Sequence, residues 1–325
     1  MRSASYNEFG KPSEVLSLDD TSVPEPKSNE IRIKTILAPI HNHDLATVRG
    51  KYGYKPELPA IGGSEAVGTI DALGDDVKGF KVGQRVSVAN VHETWAELFV
   101  APAKLVFAIP DSIKDEMAAQ LIAMPLSALM LLEFLKLQSG QWVIHNAANG
   151  AVGKTLAILA AARGINTINL VRRDDAKDEL KSMGIKNNVS TSDEDWKDQV
   201  RNIVGDQRII AAIDAVGGKA SGDLLSLLGS GGTIVAFSAL SGDPMALNSG
   251  GMIFKQATAK GFWGTETSVN MNEQNKQRLI DELIERATSG KLQLPVENIY
   301  DLTDVAKAVS DDVQSDKNGK ILLKP

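Results

Sequence analysis

The stretch Trp142-Val143-Ile144-His145-Asn146-Ala147-Ala148-Asn149-Gly150-Ala151-Val152-Gly153 decides the fold. A short apolar run gives way to small and polar residues, and then to two glycines that open a helical pattern. Strand, tight turn and helix follow in that order. Such a turn aims backbone N–H groups and a helix N-terminus at one place, which suits a phosphate. The spacing Ala148-x-Gly150-x-x-Gly153 is a dinucleotide fingerprint with alanine in place of the first glycine. Taken alone, the motif serves close helix–strand packing equally well, so its neighbours must decide.

Downstream, strands and helices alternate. Thr167–Val171 reads as strand, Asp175–Met183 as helix with Gly184 as its stop, and Glu194–Val204 as amphipathic helix. Ile209–Ala215 is an apolar strand, Ala220–Leu228 a helix, Thr233–Phe237 a strand and Ala257–Phe262 a last strand. Strands that are apolar on both faces and separated by helices predict a parallel sheet covered on both sides. Upstream, Lys114–Gln138 reads as one helix kinked or interrupted at Pro125. The chain before Pro110 is different. Ile31–Ile36 alternates apolar and charged residues, and Val67–Leu73, Arg85–Val88 and Glu97–Val100 are further short strands between glycine-marked turns. After the last parallel strand, Gln277–Thr288 is helical, and Asn298–Tyr300, a helix at Val305–Val309 and Ile321–Leu323 close the chain. The plan is α/β: a discontinuous β-rich domain with a doubly wound parallel-sheet domain inserted, and a cleft between them as the expected ligand site.

With 325 residues, two domains are expected. A net charge of −6 gives no basic footprint for nucleic acid, so none is expected as a partner. No apolar run reaches the ~18 residues of a membrane span. The N-terminal Met1–Lys11 has no apolar signal core, which predicts cytoplasmic residence. There is no cysteine, so disulfides, thiolate nucleophiles and cysteine-ligated metals are excluded.

In a dinucleotide fold the second strand ends beside the adenosine ribose. An acid there accepts from the 2′-hydroxyl, whereas an arginine accommodates a 2′-phosphate. Here Val171 is followed by Arg172 and Arg173, which predicts NADPH rather than NADH. The bland alternative is that both arginines pair with Asp174 or Asp175. His41-x-His43 with Asp44 has metal-ligating residue types. On a strand, however, positions i and i+2 point to opposite faces, so polar loop residues are expected and no metal. His145, inside the first parallel strand, reads as packing. In Gly50-Lys51-Tyr52-Gly53-Tyr54-Lys55-Pro56, two tyrosines sit in a Gly/Pro loop. A phenol, with a reference pKa of ~10, is a proton donor at neutral pH. An aromatic loop packing on its own domain is the alternative. Glu65 reads as a second catalytic group or as a buried carboxylate bonded to backbone.

Gly62-Gly63-Ser64-Glu65-Ala66-Val67-Gly68, Gly79–Val86 and Asp214-Ala215-Val216-Gly217-Gly218 together resemble the medium-chain dehydrogenase/reductase superfamily. That resemblance implies a GroES-like catalytic domain (1–112 and 264–325), a Rossmann domain (113–263), and a homodimer. Zinc-containing members carry Cys and His ligands where His41 and Ser64 stand here, which implies a zinc-independent branch. Within it, Gly50–Glu65, His145–Gly153, Gly231–Ser238 and Ile253–Trp263 are most similar to mitochondrial-type 2-enoyl thioester reductases. The family motif then places the catalytic tyrosine at Tyr52, not Tyr54, and the NADPH-phosphate arginine at Arg172, with Arg173 beside it. Asn146, Ala148, Asn149, Gly150, Ala151, Val152 and Gly153 would hold the pyrophosphate. Phe237, Ser238, Ile253 and Phe254 would flank the nicotinamide, and Phe254 and Trp263 would wall an acyl pocket. The implied substrate is an enoyl thioester of CoA or acyl carrier protein. A quinone or 2-alkenal is the alternative, and a nucleotide-binding protein without catalysis is the remaining one. This chain departs from the family at His41–Asp44, where an N-P-S-D-like segment is usual, and at Ser64, where Asn is usual.

Overall fold

The computed structural model describes residues 1–313 and 319–325. The chain forms two compact units, Met1–Ala123 with Ile280–Pro325, and Met124–Leu279.

The second unit is built on six parallel strands. From edge to edge they are Asn188–Ser190, Asn166–Val171, Trp142–His145, Ile209–Asp214, Thr233–Ala236 and Thr258–Gly261. In chain order this is 3-2-1-4-5-6, the doubly wound dinucleotide topology, with its switch point between the first and fourth strands. Adjacent residues of one strand show why both faces had to be apolar. Leu170 packs in a cluster with Ile144, Val200, Leu224 and Ile234, whereas Val171 packs in another with Ala157, Ala176 and Leu180. Successive side chains point to opposite faces, so two separate clusters mean two covered faces.

Two local readings of the sequence are corrected here. The third strand, Asn188–Ser190, has a single apolar residue, Val189, which is too little for periodicity to register. The predicted helix over Lys114–Gln138 is two helices, Asp115–Ala118 and Ala123–Leu135. Pro125 kinks neither of them. It lies in the first turn of the second, where its missing N–H would have no intrahelical acceptor.

The first unit is organised on Glu30–Pro39, which pairs antiparallel with Glu65–Leu73, Leu98–Pro102 and the C-terminal Lys320–Lys324. Arg85–Ala89 and Val106–Ala108 extend the sheet on one side, and Val296–Asp301 pairs parallel with Lys320–Lys324 on the other. Ile31 and Ile33 are fully buried while Arg32 and Lys34 are not, as the alternation requires. The return of Lys320–Lys324 to the strand at Ala38 and Pro39 makes this unit discontinuous in sequence, with the parallel-sheet unit inserted. A second, three-stranded sheet joins Arg2–Tyr6 to Ser17–Asp20 and to Ala60–Ile61. It holds the start of the segment that carries Ser64 and Glu65. A side chain at Gly62 would meet the buried Trp95 ring at 2.2 Å, so the backbone passes there only because position 62 is glycine.

Candidate active site

At the carboxyl end of the first parallel strand the chain turns through Ala147, at φ 50°, into the helix Ala151–Ala162. Several amides of the turn are taken up internally. Asn146 N–H donates to Ile213 O, Ala148 N–H to Leu170 O, and Gly150 N–H to Ala147 O. The N–H groups of Ala151, Val152 and Gly153, the first three of the helix, meet no acceptor among the described residues. Gly153 has no room for a side chain, since a Cβ would lie 2.6 Å from Ala148 O, and the helix closes onto the turn for that reason. Three unengaged amides at the start of a 12-residue helix, at the switch point of the sheet, suit a diphosphate.

The Asn146 side chain does not face that anion position. Its Nδ2 donates to Asp214 Oδ1 at 2.7 Å, and its Oδ1 accepts from Ala215 N–H at 2.7 Å. Asp214 Oδ1 also accepts from Val216 and Gly217 N–H, and its Oδ2 from the Ser221 hydroxyl. This buried clamp joins the ends of the first and fourth strands. Its sequence signals, Asn146 in the turn and Asp214 in D-A-V-G-G, gave no hint that the two residues bond each other. Phe237, half-buried, and Ser238, exposed, follow the fifth strand and donate their N–H groups to Asp214 O, so they belong to the same rim.

The two arginines after the second strand have different fates. Arg173 pairs with Asp175 at 3.2 Å, and Lys177 takes Asp174 at 2.9 Å. Arg172 is exposed and has neither ion pair nor hydrogen bond among the described residues. The bland reading therefore describes Arg173, and Arg172 keeps a guanidinium available at the strand end. Ile253 and Phe254, in the helix Ser249–Lys255, are 67% and 86% exposed, so they wall no pocket within their own unit. Trp263 follows the sixth strand and is half-exposed. His145 is buried with Nε2 2.6 Å from Asn169 Oδ1, and burial pushes its pKa down to about 4, so it serves packing.

In the first unit, Tyr52 is half-buried in the loop that follows the helix Asn42–Val48, its ring 5.7 Å from that of His43. Tyr54 is apart from it, exposed and stacked on His92 at 4.1 Å. The helix is the element that sequence reading missed, having taken His41 and His43 as loop residues. Its start is fixed by Asp44, whose Oδ2 accepts the His41 N–H at 2.9 Å in a capping box. His41 stands at the extended N-cap outside the helix and His43 within its first turn, and the two imidazoles stack at 5.0 Å, which the strand argument excluded. Their Nε2 atoms are committed elsewhere, His41 to Glu65 Oε2 at 2.7 Å and His43 to Ser64 Oγ at 2.6 Å. Ser64 in turn donates to Asp44 Oδ1 at 2.6 Å. Glu65 is fully buried, and its Oε1 accepts the N–H groups of Ile122 and Ala123. Of the two readings of this residue, the structure favours the buried carboxylate bonded to backbone. Burial pushes its pKa up to about 8 against the lowering effect of those two amides. Burial also lowers His43, opposed by the Asp44 charge.

Two family models match the chain. One is the alcohol dehydrogenase GroES-like domain, over residues 27–111, and the other the zinc-binding dehydrogenase, over residues 151–285. The chain is 34% identical over 316 residues to the human (Homo sapiens) mitochondrial enoyl-[acyl-carrier-protein] reductase, covering 95% of this chain and 84% of that protein. Among solved structures, the Pseudomonas syringae quinone oxidoreductase aligns with a TM-score of 0.89 and 27% identity, covering 100% of both chains. A mycobacterial protein solved in complex with NADPH aligns with a TM-score of 0.89 and 26% identity, again covering 100% of both. The chain therefore belongs to the medium-chain dehydrogenase/reductase superfamily, in the family of the mitochondrial enoyl reductases, and is an oxidoreductase. No helix among the described residues is long and apolar enough to cross a membrane.

The zinc of the second family description does not fit this chain. There is no cysteine, and both imidazole Nε2 atoms are bonded to other side chains. Among the described residues no group of three His, Asp or Glu side chains is arranged to hold a metal.

The buried Glu65 carries a pH signature. Its folded pKa of about 8 lies above its unfolded value, so the stabilisation is complete below the unfolded pKa and is lost as pH rises through about 8. Urea denaturation at a series of pH values will show wild-type stability falling from pH ~5 to ~8, by up to ~1.4 kcal/mol per unit, with a flatter profile in Glu65→Gln. Identical slopes in the two proteins would refute the assignment.

Proposed function

We propose that the protein reduces the C=C bond of a trans-2-enoyl thioester, carried on CoA or acyl carrier protein, with NADPH. The observation that carries this reading is Tyr52, a phenol held against His43 in a site whose donor set does not suit a metal. Bound NADPH supplies a hydride to the β-carbon. The chain's own residues do the rest. The amides of Ala151, Val152 and Gly153 bind the pyrophosphate at the helix N-terminus, joined by that of Asn149, while Asn146, Ala148 and Gly150 shape the turn. Arg172 binds the 2′-phosphate, with Arg173 held beside it by Asp175. Phe237 and Ser238 line the nicotinamide end. Ile253, Phe254 and Trp263 remain proposed contacts of cofactor and acyl chain, and their exposure means that none is enclosed by its own unit's core. Hydride addition leaves charge on the thioester oxygen and the α-carbon, and Tyr52, or a water it positions, protonates that carbon.

Reduction of a quinone or 2-alkenal is the second reading. It is favoured by the full-length likeness to the Pseudomonas syringae quinone oxidoreductase and by the His43–Ser64 departure beside Tyr52. Rates with crotonyl-CoA, longer enoyl-CoA, 2-alkenals and quinones, followed by NADPH absorbance, separate the two. Tyr52→Phe is expected to lower kcat for the enoyl thioester roughly 100-fold. No NADPH oxidation with any enoyl-CoA, or an undiminished rate in the variant, would sink the thioester reading.

Replacing Arg172 by alanine should raise the KM for NADPH by about 10-fold or more, as expected for a lost charge-assisted hydrogen bond, and leave that for NADH unchanged. Equal effects on both cofactors would remove Arg172 from the 2′-phosphate.

We infer further that the protein is a homodimer. The terminal strand Thr258–Gly261 is exposed at all four residues, with Ile253 and Phe254 in the helix that precedes it. An unpaired edge beside apolar side chains is a template for a second strand. Light scattering is expected to give a dimer for the wild type and a monomer for Phe254→Asp. A wild-type monomer would overturn the inference.

A further inference from the structure

The side chains around Tyr52 form a string with one possible direction. A serine hydroxyl has a single hydrogen. Ser64 gives it to Asp44 Oδ1, 2.6 Å away. The 2.6 Å contact between Ser64 Oγ and His43 Nε2 must then have the imidazole donating. His43 is thereby held as its Nε2–H tautomer, and Asp44 is itself anchored because its other oxygen accepts the His41 N–H. The order also rules out a hydrolytic triad, since the serine proton points at the carboxylate and the imidazole is the donor instead of the base. At the far end of the string the His43 ring packs against Tyr52, at 5.7 Å and tilted by 33°. On its other contact it stacks on His41 at 5.0 Å and 20°. Two of this chain's departures from its family pattern, at 43 and 64, are therefore bonded to each other.

We propose that His43 is a positioning residue for Tyr52. Asp44 and Ser64 fix the plane of the imidazole, and the imidazole fixes the plane of the phenol, so the proton donor keeps one orientation through turnover. This rests on the role of Tyr52 proposed above. The advantage of such fixing is entropic, since a donor already oriented loses no freedom on the way to the transition state.

The test is a double-mutant cycle with the full-length protein. Ser64→Ala removes the near acceptor of His43 Nε2–H, at 2.6 Å, and leaves only Asp44 Oδ1 at 3.4 Å, with the Tyr52 side chain itself unaltered. It is expected to lower kcat for crotonyl-CoA about 10-fold, with the KM for NADPH changed less than ~2-fold, because orientation and not cofactor binding is lost. In a Tyr52→Phe background the same change is expected to have almost no effect, and Ser64→Thr, which keeps the hydroxyl, should restore the rate. An equal loss in both backgrounds would mark a general structural effect and overturn the proposal, as would an unchanged kcat in Ser64→Ala. A second readout needs no turnover. Nitrogen-15 shifts should report the Nε2–H tautomer of His43 in the wild type and its loss in Ser64→Ala, and the Tyr52 ring should flip faster in that variant. Unchanged ring dynamics would refute the positioning role even if crotonyl-CoA is not the substrate. Normal ring coupling with no enoyl-CoA reduction would sink the thioester reading alone.

Discussion

The Glu65 carboxyl is the constraint on which the first unit's site depends. It is fully buried, and its Oε1 accepts two amides, those of Ile122 and Ala123, at the point where the helix Ala123–Leu135 begins. A helix start buried without acceptors would leave costly orphan donors. The carboxyl supplies the acceptor, and its other oxygen holds His41. His41 is the N-cap of the helix Asn42–Val48, so the placement of one carboxyl fixes where that helix starts. His43, Asp44 and the approach to Tyr52 follow from the helix. Desolvation keeps a proton on Glu65 well above the usual carboxylate range.

The second unit solves a different problem with the same economy. A dinucleotide turn must leave some amides unengaged while staying rigid. Rigidity comes from Asn146 and Asp214, whose side chains bond each other and four further groups at the ends of two strands. The turn's own amides at Ala148 and Gly150 are tied to Leu170 O and Ala147 O. What remains is the start of the helix, where the N–H groups of Ala151, Val152 and Gly153 have no acceptor among the described residues. Alanine at position 148 is compatible with this, because its N–H is directed into the second strand instead of toward a ligand.

Most of this was legible in the sequence where periodicity is strong. The parallel strands, the crossover helices and the glycine turn could be read because each is a long apolar pattern or a special backbone position. The strand Asn188–Ser190 could not, having one buried apolar residue, and neither could the helix Asn42–Val48, which is short and has one histidine at its N-cap and another in its first turn. The site was legible in part. Tyr52 and Arg172 stood out by residue type and position. The partners of Ser64, Asp44 and Glu65 did not, because each bond spans 20 to 58 residues of sequence. Phe254, placed from the resemblance at the nicotinamide and the acyl pocket, lies in the helix Ser249–Lys255 and is 86% exposed, which residue type alone does not reveal.

The chain's departures from its family therefore have unequal weight. Loss of a cysteine ligand at the position of His41 would, in a zinc enzyme, abolish a Lewis acid. Here the same position is an N-cap whose Nε2 is bonded to a buried carboxyl. The change at positions 43 and 64 acts differently, because it alters what touches the tyrosine. An imidazole with a fixed donor direction presents a different edge from that of a small hydroxyl residue. On the proposed role of Tyr52, the acceptor would fit beside that ring. Under that proposal, acceptor preference is a question about His43 and its hydrogen-bond string as much as about Tyr52, while a nucleotide turn is constrained by phosphate geometry and leaves the acceptor undetermined.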